Sequence, residues 1–224
     1  MDKAINIKEF KKNLAYYFSI FAIVFGSTFG NFNAANAGSQ GTGEVTAYDD
    51  TDEIDFTGIT AIISLAEADT LENIINDDGR DTTVTFSGGY KLTVTGASSY
   101  SLKGSDDDSL TVVMSTTGTG FILAEATLGT VTITGAAGTS VDVTGTDTHT
   151  FTYDGSAANV GGLEVSGTVT FSGVMGSSNG LATVNVDTSK VATFSEAVTA
   201  TTITLTGDAV FKKAVTSTTI ALVA

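Results

Sequence analysis

The 224-residue chain contains no cysteine, no proline, no tryptophan and a single histidine. Without cysteine there are no disulfide staples, no thiolate metal sites and no acylated cysteine, so stability must come from burial and backbone pairing. One histidine, His149, cannot furnish a transition-metal centre by itself, and it reads as an exposed strand residue. Basic residues are also scarce: 10 Lys and Arg face 25 Asp and Glu, for a formal charge of −15. Neutralising phosphates takes Lys and Arg, so this balance argues against nucleic acid and anionic membranes as partners. It favours solubility and divalent cations instead. What the chain does have is 25 glycines spread through a Thr- and Val-rich sequence. That composition suits many short strands joined by tight turns.

Residues 1–37 have the layout of an export signal. Lys3, Lys8, Lys11 and Lys12 precede an uncharged apolar run from Leu14 to Phe25, and a polar stretch ends in Ala35-Asn36-Ala37. The small-x-small ending predicts cleavage after Ala37. The rival reading, a retained anchor, meets an apolar core slightly too short to span a bilayer. Cleavage would remove four lysines together with Asp2 and Glu9, leaving −17 on the mature chain, which has no integral span.

Residues 38–81 form an acidic lead-in. Gly38–Gly43 reads as a flexible linker, and Asp49, Asp50, Asp52, Glu53 and Asp55 come soon after it. Leu71, Ile74 and Ile75 fall at helical spacing behind Asp69 or Thr70 as N-cap, which predicts a short helix capping the strands that begin near residue 82.

From residue 82 to 224 the sequence alternates and repeats. Shifted by 17 positions, Phe194 falls on Phe211, Ile203 on Ile220 and Leu205 on Leu222, with eight of 14 aligned positions identical. A period this short describes one rung of a stack. Thr83-Val84-Thr85-Phe86-Ser87-Gly88 recurs unchanged at 168–173, and an apolar-x-apolar-Thr/Ser-Gly motif ends at Gly96, Gly135, Gly145, Gly167 and Gly207. Period-2 alternation sends the apolar set inward and the Thr set outward, and the motif glycine predicts a sharp turn. The fold class is therefore all-β: a parallel β-solenoid of about seven turns at roughly 20 residues per rung, with a partly helical N-terminal cap. The last full rung should turn at Ser195-Glu196 and near Thr199–Thr201, and Glu196 should face Lys213. Because the chain ends at Ala224 inside an apolar strand, the stack is expected to continue in a longer protein.

An export signal followed by Gly/Thr-rich rungs such as Thr-Val-Thr-Phe-Ser-Gly and Val-Thr-Ala-Thr-Thr-Ile-Thr-Leu resembles bacterial autotransporter passengers and related giant adhesin or S-layer-type proteins. The resemblance implies a secreted, structural or adhesive module at the bacterial cell surface. Its partners would be a host or neighbouring cell surface, carbohydrate, or a self-assembly lattice.

Other chemistries can be weighed on the same residues. The clusters containing Asp77, Asp78 and Asp81 and containing Asp106, Asp107 and Asp108 could hold Ca²⁺ through carboxylates and turn carbonyls. They lack EF-hand spacing and the Gly-Gly-x-Gly-x-Asp repeat, so solvated loops are the simpler expectation and no cofactor is expected. A carbohydrate-active enzyme is the alternative function, but it needs acids clustered with Lys or Arg on one face. Only Arg80, Lys91, Lys103, Lys190, Lys212 and Lys213 remain after position 37, so the chain is not expected to be an enzyme. A further alternative is that Thr-x-Thr units such as Thr83/Thr85 and Thr130/Thr132/Thr134 order water or ice; unequal rung lengths count against it.

Overall fold

In the computed structural model, which describes residues 42–45, 53–55, 61–65, 68–71, 73–75, 82–96, 100–104 and 109–223, every paired strand runs parallel to its partner. Strands belong in turn to three sheets. From Ala61–Leu65 to Thr152–Gly155 the chain visits the first, the second and the third sheet in turn and returns to the first one rung further along; beyond that, single bridges at Met175 and Val198 stand in for first-sheet strands. The fold is a parallel β-solenoid, with about 6 turns of about 21 residues each. The expected export segment 1–37, with its cleavage point, lies outside the described residues.

The inward positions form three ladders. In the first sheet Val84, Val112, Ile133 and Tyr153 align, and bridges through Met175 carry the ladder on to Val198. In the second, Leu92, Phe121, Val141, Leu163, Val184 and Ile203 align, and none of these six is exposed. In the third, Ile74, Leu102, Thr127, His149, Phe171, Phe194 and Phe211 align. The strand spacing dictates how these rings meet: Phe171, Phe194 and Phe211 stack at 5.0 Å, nearly parallel at 16° and 7°. Each fully buried side chain contributes roughly 1.5–3 kcal/mol, so the ladders dominate the energetics.

The 17-residue register is as expected: Phe194 pairs with Phe211 and Ile203 with Ile220. Lys213 Nζ donates to both Glu196 oxygens, at 2.8 and 2.6 Å. Because this pair is exposed, Lys213→Ala should cost no more than about 0.5 kcal/mol in a thermal melt, and less at high salt. The corner expected near Thr199–Thr201 is a parity change inside one strand, Val198–Leu205. Val198 and Ala200 point inward, then Ile203, while the register steps over Thr201.

Two expectations about the backbone require correction. The predicted helix is absent, because Asp69–Leu71 and Asn73–Ile75 are strands. They pair with Lys91–Val94 and Leu102–Lys103, and Thr42–Val45 and Ala61–Leu65 join the first sheet ahead of Thr82–Ser87. Pairing to the next rung overrides a 3.6-residue spacing of only three apolar residues, two of them β-branched.

The second correction concerns the motif glycines. Of the five, only Gly96 has a positive φ, at 69°. Gly145, Gly167 and Gly207 are there because the preceding rung crowds them. A Cβ at Gly145 would run into the carbonyl oxygen of Ala124, one at Gly167 into that of Gly145, and one at Gly207 into that of Asp187. Gly145→Ala should therefore cost about 1–3 kcal/mol. Gly180→Ala, whose Cβ would first meet a Thr199 methyl at 3.2 Å, should melt close to wild type. Equal losses at the two positions would contradict this account.

Candidate functional site

The outer surface of the second sheet has two adjacent rows. One is made of small residues, Gly120, Ser140, Gly162 and Thr183, with Lys91 at its start. The other runs Thr93, Ile122, Asp142, Glu164, Asn185 and Thr204. The small row leaves a shallow groove of about 300 Å³ where the first sheet turns into the second. Thr139, Ser140, Asn159, Glu164 and Thr183 supply its polar atoms. Asn159 sits at this corner with φ 62°, a left-handed conformation that Asn adopts more readily than most residues. Its side-chain oxygen accepts a hydrogen bond from Thr201 at 2.8 Å, and its backbone N–H donates to Gly180 at 2.8 Å.

Glu164 is half-buried in this groove and accepts a 2.7 Å hydrogen bond from Asn185 one rung on. Burial raises its pKa; the Asn185 hydrogen bond opposes the rise, Asp187 and Asp142 add to it, and Lys91 weakly opposes it. Asp142, one rung before Glu164, accepts a 2.8 Å hydrogen bond from Ser166. Strand spacing of about 4.8 Å thus sets two carboxylates side by side on one face, each steadied by a polar neighbour. Such a pair can accept hydrogen bonds from a hydroxyl-rich ligand. A second raised carboxyl, Glu125, lies at the next corner, where burial and then the adjacent Asp147 favour its neutral form.

His149 differs most from its sequence reading. It is fully buried, not exposed, and neither ring nitrogen has a hydrogen-bond partner. Its ring lies 5.8 Å from Phe171 and 5.9 Å from Phe151. Burial lowers its pKa from 6.5 to about 4, against the opposing charge of Asp147. The signal was available in the alternation, since His149, Phe151 and Tyr153 share one parity. The Tyr153 hydroxyl is likewise buried without a hydrogen bond of good geometry, although Thr139 and the Gly162 backbone lie close enough to oppose its rise. Burial still pushes its pKa to about 12.

The calcium candidates Asp77, Asp78, Asp81, Asp106, Asp107 and Asp108 lie outside the described residues. Among the described residues no group of three or more His, Cys, Asp or Glu side chains could hold a metal ion. No described helix is long and apolar enough to cross a membrane.

Fold and surface together define a parallel β-solenoid with a shallow groove at a corner between its first and second sheets. Comparison of the chain with protein-family models, curated proteins and solved structures finds no match.

Proposed function

We propose that this chain is a secreted structural or adhesive rod of a bacterial cell surface, displaying its outer faces by repetition. The observation that carries the reading is the ladder architecture: a largely aliphatic and aromatic interior under an exterior rich in hydroxyls, amides and carboxylates. Each added rung lengthens such a body without changing its cross-section. The basic, apolar and Ala-x-Ala layout of residues 1–37 supplies the route out of the cell. The test is expression of the full chain in a two-membrane bacterial host. A released chain beginning at Gly38, and digestion by protease added to intact cells, are expected. A chain kept inside the cell with Met1 intact would refute the reading.

The outer face of the second sheet favours one second reading, a carbohydrate-active protein, because Asp142 and Lys91 share it with Glu164 of the groove. Incubation with soluble polysaccharides separates the two. New reducing ends that vanish in Glu164→Gln would support catalysis, whereas retention on the polysaccharide without cleavage would support adhesion.

A further inference from the structure

The outer face of the first sheet is organised differently from the groove. Its register places Thr83, Thr111, Thr132 and Thr152 in one column across four successive rungs. The adjoining column reads Thr85, Val113, Thr134 and Asp154, and on the other side Ser109 lies beside Thr130. Rung lengths between these Thr residues differ, yet the columns stay aligned because the corners absorb the extra residues. The irregularity that counted against an ordered array at the level of sequence is therefore absent from the face itself.

The hydroxyls of this face differ from those at the corners. Hydroxyls at the corners are engaged by the protein: Thr139 donates to Ala136, Thr144 to Leu123, Thr206 to Val186 and Ser172 to His149. Thr83, Thr85, Thr111, Thr132, Thr134 and Thr152 make no such side-chain bond among the described residues. The face is also nearly uncharged in a chain of net charge −15, with Asp154 the one charge in these columns. Asp154 itself is tied to Ser177 and Ser178.

The spacings are fixed by backbone geometry. Columns repeat about every 4.8 Å along the stack, and alternate residues lie about 6.6 Å apart along a strand. β-branched Thr has few χ1 choices, so each hydroxyl and methyl is held in place with little entropy left to lose. We propose that this Thr plate binds an ordered water lattice, the surface of ice, with hydroxyls continuing the water network and methyls seated between water positions. A charged ligand would find only Asp154, already held by two serines, whereas ice presents a rigid, neutral, repeating array of donors and acceptors. The proposal concerns a different face from the groove and stands whether or not the chain is an adhesin.

The test is ice shaping and thermal hysteresis of the purified full chain. Faceted crystals and a measurable hysteresis gap are expected, lost almost entirely in the double variant Thr111→Lys/Thr132→Lys. Thr193→Lys, on the outer face of the third sheet, should retain the wild-type gap. Circular dichroism melts show whether each variant folds. Should the double Lys variant unfold, Thr111→Ala/Thr132→Ala takes its place, with the same loss expected. Absence of ice shaping by the wild type, an equal loss in Thr193→Lys, or retention on crystalline polysaccharide without ice shaping would overturn the proposal.

Discussion

Ile203→Asp is expected to undo the last rungs of the stack, while Thr202→Asp, one residue away, leaves them standing. Ile203 is completely buried between Val184 and Ile220 in the second-sheet ladder. Losing its burial removes roughly 1.5–3 kcal/mol. The new carboxylate would add several kcal/mol more, because no partner waits for it among aliphatic neighbours. The sum rivals the whole stability margin of an ordinary domain. In a stack where each rung contacts only its neighbours, the damage should be local. Limited trypsin digestion should then cut at Lys190, Lys212 and Lys213 in Ile203→Asp long before it does so in wild type. Thr202 points outward in a row with Thr183 and Thr219, so an aspartate there keeps its hydration. Equal digestion rates for the two variants would show the inward and outward assignment to be wrong.

His149→Phe is expected to stabilise the protein and to remove much of its sensitivity to acid. At neutral pH the native imidazole is uncharged, and its ring N–H is buried without an acceptor. An unmade hydrogen bond of this kind costs about 1–3 kcal/mol, which a phenyl ring would not incur. The replacement also extends the Phe171, Phe194 and Phe211 column by one ring. Because the histidine pKa falls from 6.5 to about 4 on folding, the unfolded chain binds a proton that the native state refuses. Well above pH 6.5 neither state is protonated and the group has no pH effect. Between 6.5 and 4 stability falls as pH falls, by about 3 kcal/mol in all. Glu125 and Glu164, with raised native pKa values, act with the opposite sign, since the native state takes up their protons first. Melting wild type and His149→Phe side by side at about pH 7 and about pH 4.5 isolates the histidine. The gap in melting temperature should widen at the lower pH. A constant gap would mean that His149 titrates normally in the folded protein.

Both predictions rest on which side of a strand a residue occupies, and this was only partly legible in the sequence. Alternation identified Ile203 and Phe194 as inward because apolar and Thr residues take turns around them. The same alternation applied to Thr148–Tyr153 puts His149 inward with Phe151 and Tyr153. Its polarity pointed the other way, and residue type outweighed parity in reading the sequence. The acidic Asp142 and Glu164 were legible only as strand residues of two separate motif copies. Nothing local to either reveals that they are neighbours, since they stand 22 positions apart with three corners between them.

The sequence by itself determined the all-β class, the stacking, the 17-residue register of the final rungs and the contact between Glu196 and Lys213. These come from period-2 alternation and exact repetition, which are properties of short stretches. Only the tertiary structure decided that three sheets share the strands and that Asp69–Ile75 supplies strands in place of a helix. It also decided that three of the motif glycines make room for a neighbouring carbonyl, and that a groove and a Thr plate occupy different faces. Each of these depends on how rungs of 17 to 29 residues align across corners of variable length. That alignment is set by contacts between residues far apart in the chain, where burying one ladder against another outweighs local preference.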